Sequence, residues 1–428
     1  MRGSRLLNIF LVVFIDLLGF GLILPLLPYF AGQYGASPFL IGLLVASYAA
    51  AQFIGAPLMG RLSDRFGRRR ILVISIAGTA IGFLLLGLAE PLGKALASFV
   101  LDNPTPDQLQ TLQYGAILGV MFISRILSGL TGGNITVAQA YIADVTDAQN
   151  RAKGMGLIGA AFGLGFILGP AIGGALSRWG YAVPALAAAG LATLNLAGIL
   201  AFLPESLTDE RKAELARQEK RALISFSAMV EELSKPRIGP LMTIRLFYAL
   251  AAALFQTMFT LWAKDRLGLS AQATSYLLAY VGLLAVIVQG GLIGRLTKRF
   301  SEAKLIAWSA VILAVALLAW AFTPSVPVLL VVLAPMAFST GVLNTVINSA
   351  ISRAVPPPEV GGALGTSSAF ESLSRMISPA VGGWLLGAVG AWAPGVVGAA
   401  IMAGVSVFSW RRLVFNPDPA LPAPAEIG

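Results

Sequence analysis

The chain has 428 residues, 57% hydrophobic and only 12% charged, with 47 Gly and neither Cys nor His. A soluble protein of this length carries about a quarter charged residues, so a water-soluble globular chain is excluded, as are a disulfide framework and a thiol-ligated metal. The net charge of +10 is spread over short islands between apolar runs, which reports membrane topology and argues against a nucleic-acid partner.

Each run is long enough to cross a bilayer as a helix, at about 20 residues per crossing. Twelve are expected, at residues 6–31, 38–60, 71–89, 114–141, 154–177, 181–203, 241–263, 271–294, 303–323, 327–352, 361–388 and 391–413. The first is too long for a signal peptide and lacks a small-residue cleavage site, so it is expected to be retained as a span. It reads LVVFIDLLGFGLILPLLPYF over 11–30 and holds one carboxylate, Asp16. Only two of the 20 acids fall deep within spans, Asp16 and Glu371. A charge at mid-span costs roughly 2.5–3.5 kcal/mol on insertion scales, so such groups face cavities and mark proton or substrate pathways. Desolvation favours the protonated form of a carboxyl. Without histidine, proton coupling would have to use these acids.

The second span offers Tyr48 and Gln52 as cavity candidates. The loop after it, GRLSDRFGRRR over 60–70, holds Gly60 and Gly67, which permit a tight turn with positive φ. Asp64 and Arg68 lie one turn apart if the segment is helical. An acid in so basic a loop opposes topology unless something local uses it, whereas Arg69 and Arg70 read as ordinary positive-inside charges. The fourth span, SRILSGLTGGNITVAQAYIAD over 124–144, carries Arg125 near its middle. Arg125, Gly129, Gly132, Thr136 and Gln139 share one face of a continuous helix, the pattern of a cavity lining. Arg125 is also a candidate structural partner for Asp16. In the fifth span, Gly156, Gly165, Gly169, Pro170, Gly173 and Gly174 follow the spacing G-x8-G-x3-G-P-x2-G-G. Small residues at four-residue intervals let helices approach closely, and Pro170 bends the helix.

Residues 204–240 form the one long charged stretch. A surface helix is expected there, with Thr208 as N-cap and Asp209 and Glu210 near the positive end of its dipole. A solvated tether and a regulatory loop both fit. Beyond it, Arg245 could snorkel from the seventh span toward water, and Gln256 is polar. In the tenth span Asn344 and Asn348 share a face with Gly341 and Ser352. In the eleventh, Glu371 and Arg375 form an i, i+4 pair that either neutralises itself or recognises charged substrates. The amides can orient a ligand or serve as helix–helix glue.

The two halves echo each other. GRLSDRFGRRRIL at 60–72 matches GRLTKRFSEAKLI at 294–306, and GPAIGG at 169–174 matches SPAVGG at 378–383. Six plus six spans in parallel repeat is a transporter architecture, with substrate bound near midplane. The expected organisation is a six-helix bundle at 1–203, a cytoplasmic linker at 204–240, a second bundle at 241–413 and a tail at 414–428. With both termini cytoplasmic, Lys94, Arg178, Lys264 and Arg266 face out and three arginines sit inside spans. The remaining 23 of the 30 Lys and Arg are then on the cytoplasmic side, the positive-inside bias.

On these motifs the chain resembles the major facilitator superfamily over essentially its whole length, and within it the drug:proton antiporters, tetracycline-efflux proteins above all. The resemblance implies an all-α membrane fold of twelve helices in two six-helix bundles. It makes Gly60, Asp64, Arg65, Gly67, Arg68 and Asp144 a conformational latch, with Arg68 bonding Asp144 and Asp64 meeting the start of the eleventh span. It makes the fifth-span pattern an antiporter signature, Asp16 the leading proton site with Glu371 the alternative, and Arg125 a modulator of the carrier's proton affinity. Tyr48, Gln52, Gln139, Gln256, Asn344, Asn348 and Arg375 become candidate substrate contacts. The implied function is proton-driven efflux of small amphipathic or hydrophobic drugs from the inner membrane, by a monomer without cofactor or metal. Where tetracycline carriers have further acids, the third span has Gly82 and the ninth has none. Those acids are implicated in handling a cationic metal–drug complex, so a neutral or amphipathic drug suits this interior better. A proton symporter importing a sugar would use the same fold. An enzyme is excluded by the lack of a Walker motif, a metal-ligand cluster and a nucleophile–base pair.

Overall fold

A computed structural model describes residues 2–100, 104–208, 210, 226–356 and 359–415. Among them every regular element is helical, in chain order α1 (Arg2–Ile23), α2 (Leu27–Gly32), α3 (Pro38–Phe66), α4 (Arg68–Gly87), α5 (Ala89–Ser98), α6 (Pro106–Thr131), α7 (Asn134–Val145), α8 (Ala148–Leu176) and α9 (Ala182–Phe202). There follow α10 (Phe226–Ser234), α11 (Gly239–Leu267), α12 (Ala271–Ile287), α13 (Ile293–Arg299), α14 (Glu302–Ala321), α15 (Val326–Ala354), α16 (Val360–Ala388) and α17 (Ala393–Ser409).

Local chemistry sets the boundaries. Ser37 caps α3 by accepting from the Leu40 N–H at 3.3 Å, with Pro38 in the first turn. Thr105 and Gln108 cap α6 reciprocally. Gly67, at φ +105°, ends α3 and starts α4 in one residue, a conformation that costs a residue with a Cβ far more than glycine. Gly60, expected at the same turn, is an ordinary helical residue inside α3. Three residues of turn around Pro25 interrupt the first run, which resumes as α2.

Eleven helical segments among the described residues are long and apolar enough to span a membrane, one fewer than the twelve runs expected. The one outside that count is α16, which has the length at 29 residues but carries Glu371 and Arg375 with many Gly and Ser. The fourth span is not continuous either. At Gly132 and Gly133 the α-helical ladder stops, and α7 begins at Asn134. The five-residue stripe expected on one face is therefore split, with Arg125 and Gly129 on α6 and Thr136 and Gln139 on α7. A π-turn at Val288–Leu292 joins α12 to α13. The helix expected at Thr208 falls mostly outside the described residues.

The chain divides into two compact units, Met1–Ile224 with Ser270–Ala279, and Ser225–Leu269 with Tyr280–Gly428. The sequence repeat reappears as repeated packing. In the first unit α1 packs on α8 and α4 on α9; in the second α11 packs on α16 and α14 on α17. The seams explain the echoed Gly motifs. A Cβ on Gly169 would lie 2.6 Å from the Gly21 Cα, and one on Gly382 would lie 2.8 Å from a methyl of Leu254. Large apolar residues such as Ile123, Leu194, Phe202 and Val331 stay exposed on the outer helix faces, which in a membrane protein meet lipid.

Candidate functional site

Asp16 sits mid-way along α1 and faces a small cavity lined also by Phe20, Tyr48, Thr79, Phe83, Arg125, Ser128, Gly132 and Asn134. It has room for about one water-sized occupant. The break in the fourth span forms one wall. The Asn134 Oδ1 accepts from the Ile135 N–H at 2.8 Å, and the same side chain lines the cavity beside Asp16. Gln52 ties the break to α3, its Nε2 donating to the Gly132 carbonyl at 3.1 Å and to the Tyr48 hydroxyl at 3.2 Å. Gly55 and Gly129 allow this crossing, since a Cβ on either would strike the opposite helix, Leu130 at 2.7 Å and Ala51 at 2.7 Å.

Arg125 is only 3% exposed and forms no ion pair with Asp16, so the pairing considered from sequence is not made here. Among the described residues its Nε and Nη2 have no hydrogen-bond partner. Two ring faces flank it, Tyr48 at 5.8 Å and Phe83 at 5.6 Å from the guanidinium carbon, which offset part of the desolvation of the charge. Gly82 lies against Ser128 on α6, so a side chain there would meet the serine hydroxyl.

The glycine stripe of α8 braces α1 beside the acid. A Cβ on Gly165 would come 2.9 Å from the Cβ of Leu17, and one on Gly173 would hit the Leu22 backbone. Gly174 faces Ser275 at 2.6 Å by the same measure, whereas Gly156 meets no atom of the described residues within 4 Å. The stripe therefore holds the turn of α1 that directly follows Asp16.

At the loop between the second and third spans, Arg68 is 6% exposed. Its Nη1 donates to Asp64 at 2.6 Å and to the Ser63 hydroxyl at 2.6 Å, and its Nε to Asp144 at 3.1 Å. Glu205, not singled out from sequence, completes the cluster. Its carboxylate accepts the N–H groups of Arg68 at 2.8 Å and Arg69 at 3.2 Å, capping the start of α4. Ser206 donates to Asp144 at 2.9 Å. Arg65 stands apart, its guanidinium 5.2 Å from the Phe66 ring.

In the second unit Arg245 does not snorkel. It is 3% exposed and donates to the Asn344 Oδ1 at 2.8 Å and to Glu371 at 2.5 Å. The other Glu371 oxygen pairs with Arg375, so the acid joins two guanidiniums rather than the one expected. Asn348 accepts from the Ser367 hydroxyl at 3.2 Å, an interhelical contact. Gln139 and Gln256 are exposed. Asn134 was missed although TGGN is a legible break signal. Glu205 gives no such signal, because its partners lie 137 and 136 residues away.

The family model described as Major Facilitator Superfamily matches residues 9–306 and 241–428. The chain is 31% identical over 392 residues to the tetracycline resistance protein, class C, of Escherichia coli, covering 89% of each chain. It is 28% identical over 378 residues to multidrug resistance protein 2 of Bacillus subtilis (strain 168), covering 87% of this chain and 86% of that one. Among solved structures, the D-xylose-proton symporter superposes with a TM-score of 0.66 at 20% identity over 96% of both chains, a likeness of fold alone.

Proposed function

Because the chain belongs to the Major Facilitator Superfamily, a family of multi-pass membrane transporters rather than enzymes, we propose that it exports small amphipathic or hydrophobic compounds by proton antiport with alternating access. The observation that carries this reading is the cavity in which Asp16 and Arg125 lie together without pairing. A carboxyl tied to a guanidinium has to break that bond to take a proton; Asp16 does not. Glu371 holds two arginines and would have to release both, so Asp16 is assigned as the carrier and the Glu371 network as a positioning cluster. Arg125 and its neighbours tune the carrier, and the loop cluster of Asp64, Arg68 and Asp144 acts as the latch, with Glu205 capping α4 beside it.

Export rather than uptake is supported by the fifth-span glycine pattern, and by relatives named for tetracycline and multidrug resistance. The cargo we infer is a drug-like, largely apolar compound, with tetracycline a candidate. Antiport at the inner membrane follows from the same reading. The test is direction. In proteoliposomes with an imposed pH gradient, an antiporter moves drug against the proton flow. Drug accumulation in the direction of the proton flow would instead make the chain a symporter and end this reading.

A further inference from the structure

The same cavity holds a guanidinium with two nitrogens that are unbonded among the described residues. Arg125 is 3% exposed with Nε and Nη2 unbonded, and the hydroxyl of Ser128, itself 2% exposed, has no partner either. Both line one small cavity with Thr79. At its edge Asn134 opens α7, a helix of 12 residues, whose first peptide groups present the positive end of a dipole. The guanidinium and the helix N-terminus favour an anion and the two hydroxyls can donate to it, while Asp16 on the same cavity opposes it when ionised. An isolated charge inside a membrane protein is found paired or facing a cavity that solvates it.

We propose that this cavity is a binding site for a small inorganic anion, with chloride the occupant that suits it. Space for about one water-sized body excludes a drug carboxylate, and one negative charge matches one guanidinium. The titratable and charged groups that line the cavity are Asp16, Tyr48 and Arg125 itself. An ionised Asp16 repels the anion and a protonated one does not. Proton and anion therefore bind together, and the anion leaves when Asp16 releases its proton. This goes beyond the antiport reading, since Asp16 can carry a proton whether or not an anion sits beside Arg125.

The test uses the purified full-length chain in nanodiscs, unfolded thermally while sodium chloride replaces sodium gluconate at constant ionic strength. The wild type should show a saturable rise in unfolding midpoint with chloride in acid buffer and a much smaller one in alkaline buffer. Ser128→Ala should need several-fold more chloride, Arg125→Gln should not respond, and Asp16→Asn should keep the response in both buffers. Crystals soaked in bromide should give an anomalous peak beside the Arg125 guanidinium. Equal midpoints in chloride and gluconate would mean a cavity that holds water only, and would overturn the proposal. So would an undiminished response in Arg125→Gln. Should that variant fail to fold, an unchanged Ser128→Ala titration or a bromide peak elsewhere would be equally decisive. Neither outcome would touch proton exchange at Asp16.

Discussion

Arg68 and Arg125 are both almost fully buried in the first unit, yet their surroundings are opposite. Arg68 donates to two carboxylates and a hydroxyl, whereas Arg125 has ring faces and unbonded nitrogens. The first is a connector, and the second is the one we propose as part of a site. Asp64→Asn removes one partner from Arg68 but leaves Asp144 and the Glu205 cap, so the protein should fold and its transport rate should drop several-fold in a reconstituted flux assay. Glu205→Ala should act on folding instead. It strips the cap from α4 and should lower stability in a detergent-denaturation titration by about 1 kcal/mol. A wild-type flux in Asp64→Asn would remove the latch from the mechanism.

Glycine spacing matters at the scale of the helix. Gly165, Gly169 and Gly173 are seams because α1 runs against them, and Gly156 is not because no atom of the described residues lies within 4 Å. Gly169→Ala should therefore cost about 1–3 kcal/mol of overpacking, while Gly156→Ala should be nearly neutral, both read from thermal unfolding midpoints. Equal effects at the two positions would show that the stripe is not a contact surface. The intramembrane acid and arginine and the Gly stripe were legible in the sequence, because each is costly in a lipid-facing helix and stands out against the apolar background. The break at Gly132–Gly133 was written in the sequence too, but hydropathy runs straight through it. The Glu205 cap and the Arg245 bridge were not legible, since both join residues about a hundred or more positions apart.

For the molecule as a whole, the internal repeat shows itself twice, in matched sequence motifs and in matched helix pairs of the two units. The polar load is not symmetric. The first unit keeps one acid and one arginine apart in a cavity, and the second locks Glu371 between Arg245 and Arg375. That asymmetry is the reason for proposing the first unit as the place of proton exchange. It also leaves α16, with Glu371 and Arg375 in mid-helix, more polar than a typical membrane span. The most direct test is proton movement itself, followed with a pH-sensitive dye sealed inside proteoliposomes as drug is added outside. Wild type should answer each drug addition with a matching pH change, and Asp16→Asn should bind the drug but leave the dye signal flat. A full-sized proton signal from Asp16→Asn would contradict the account at its centre.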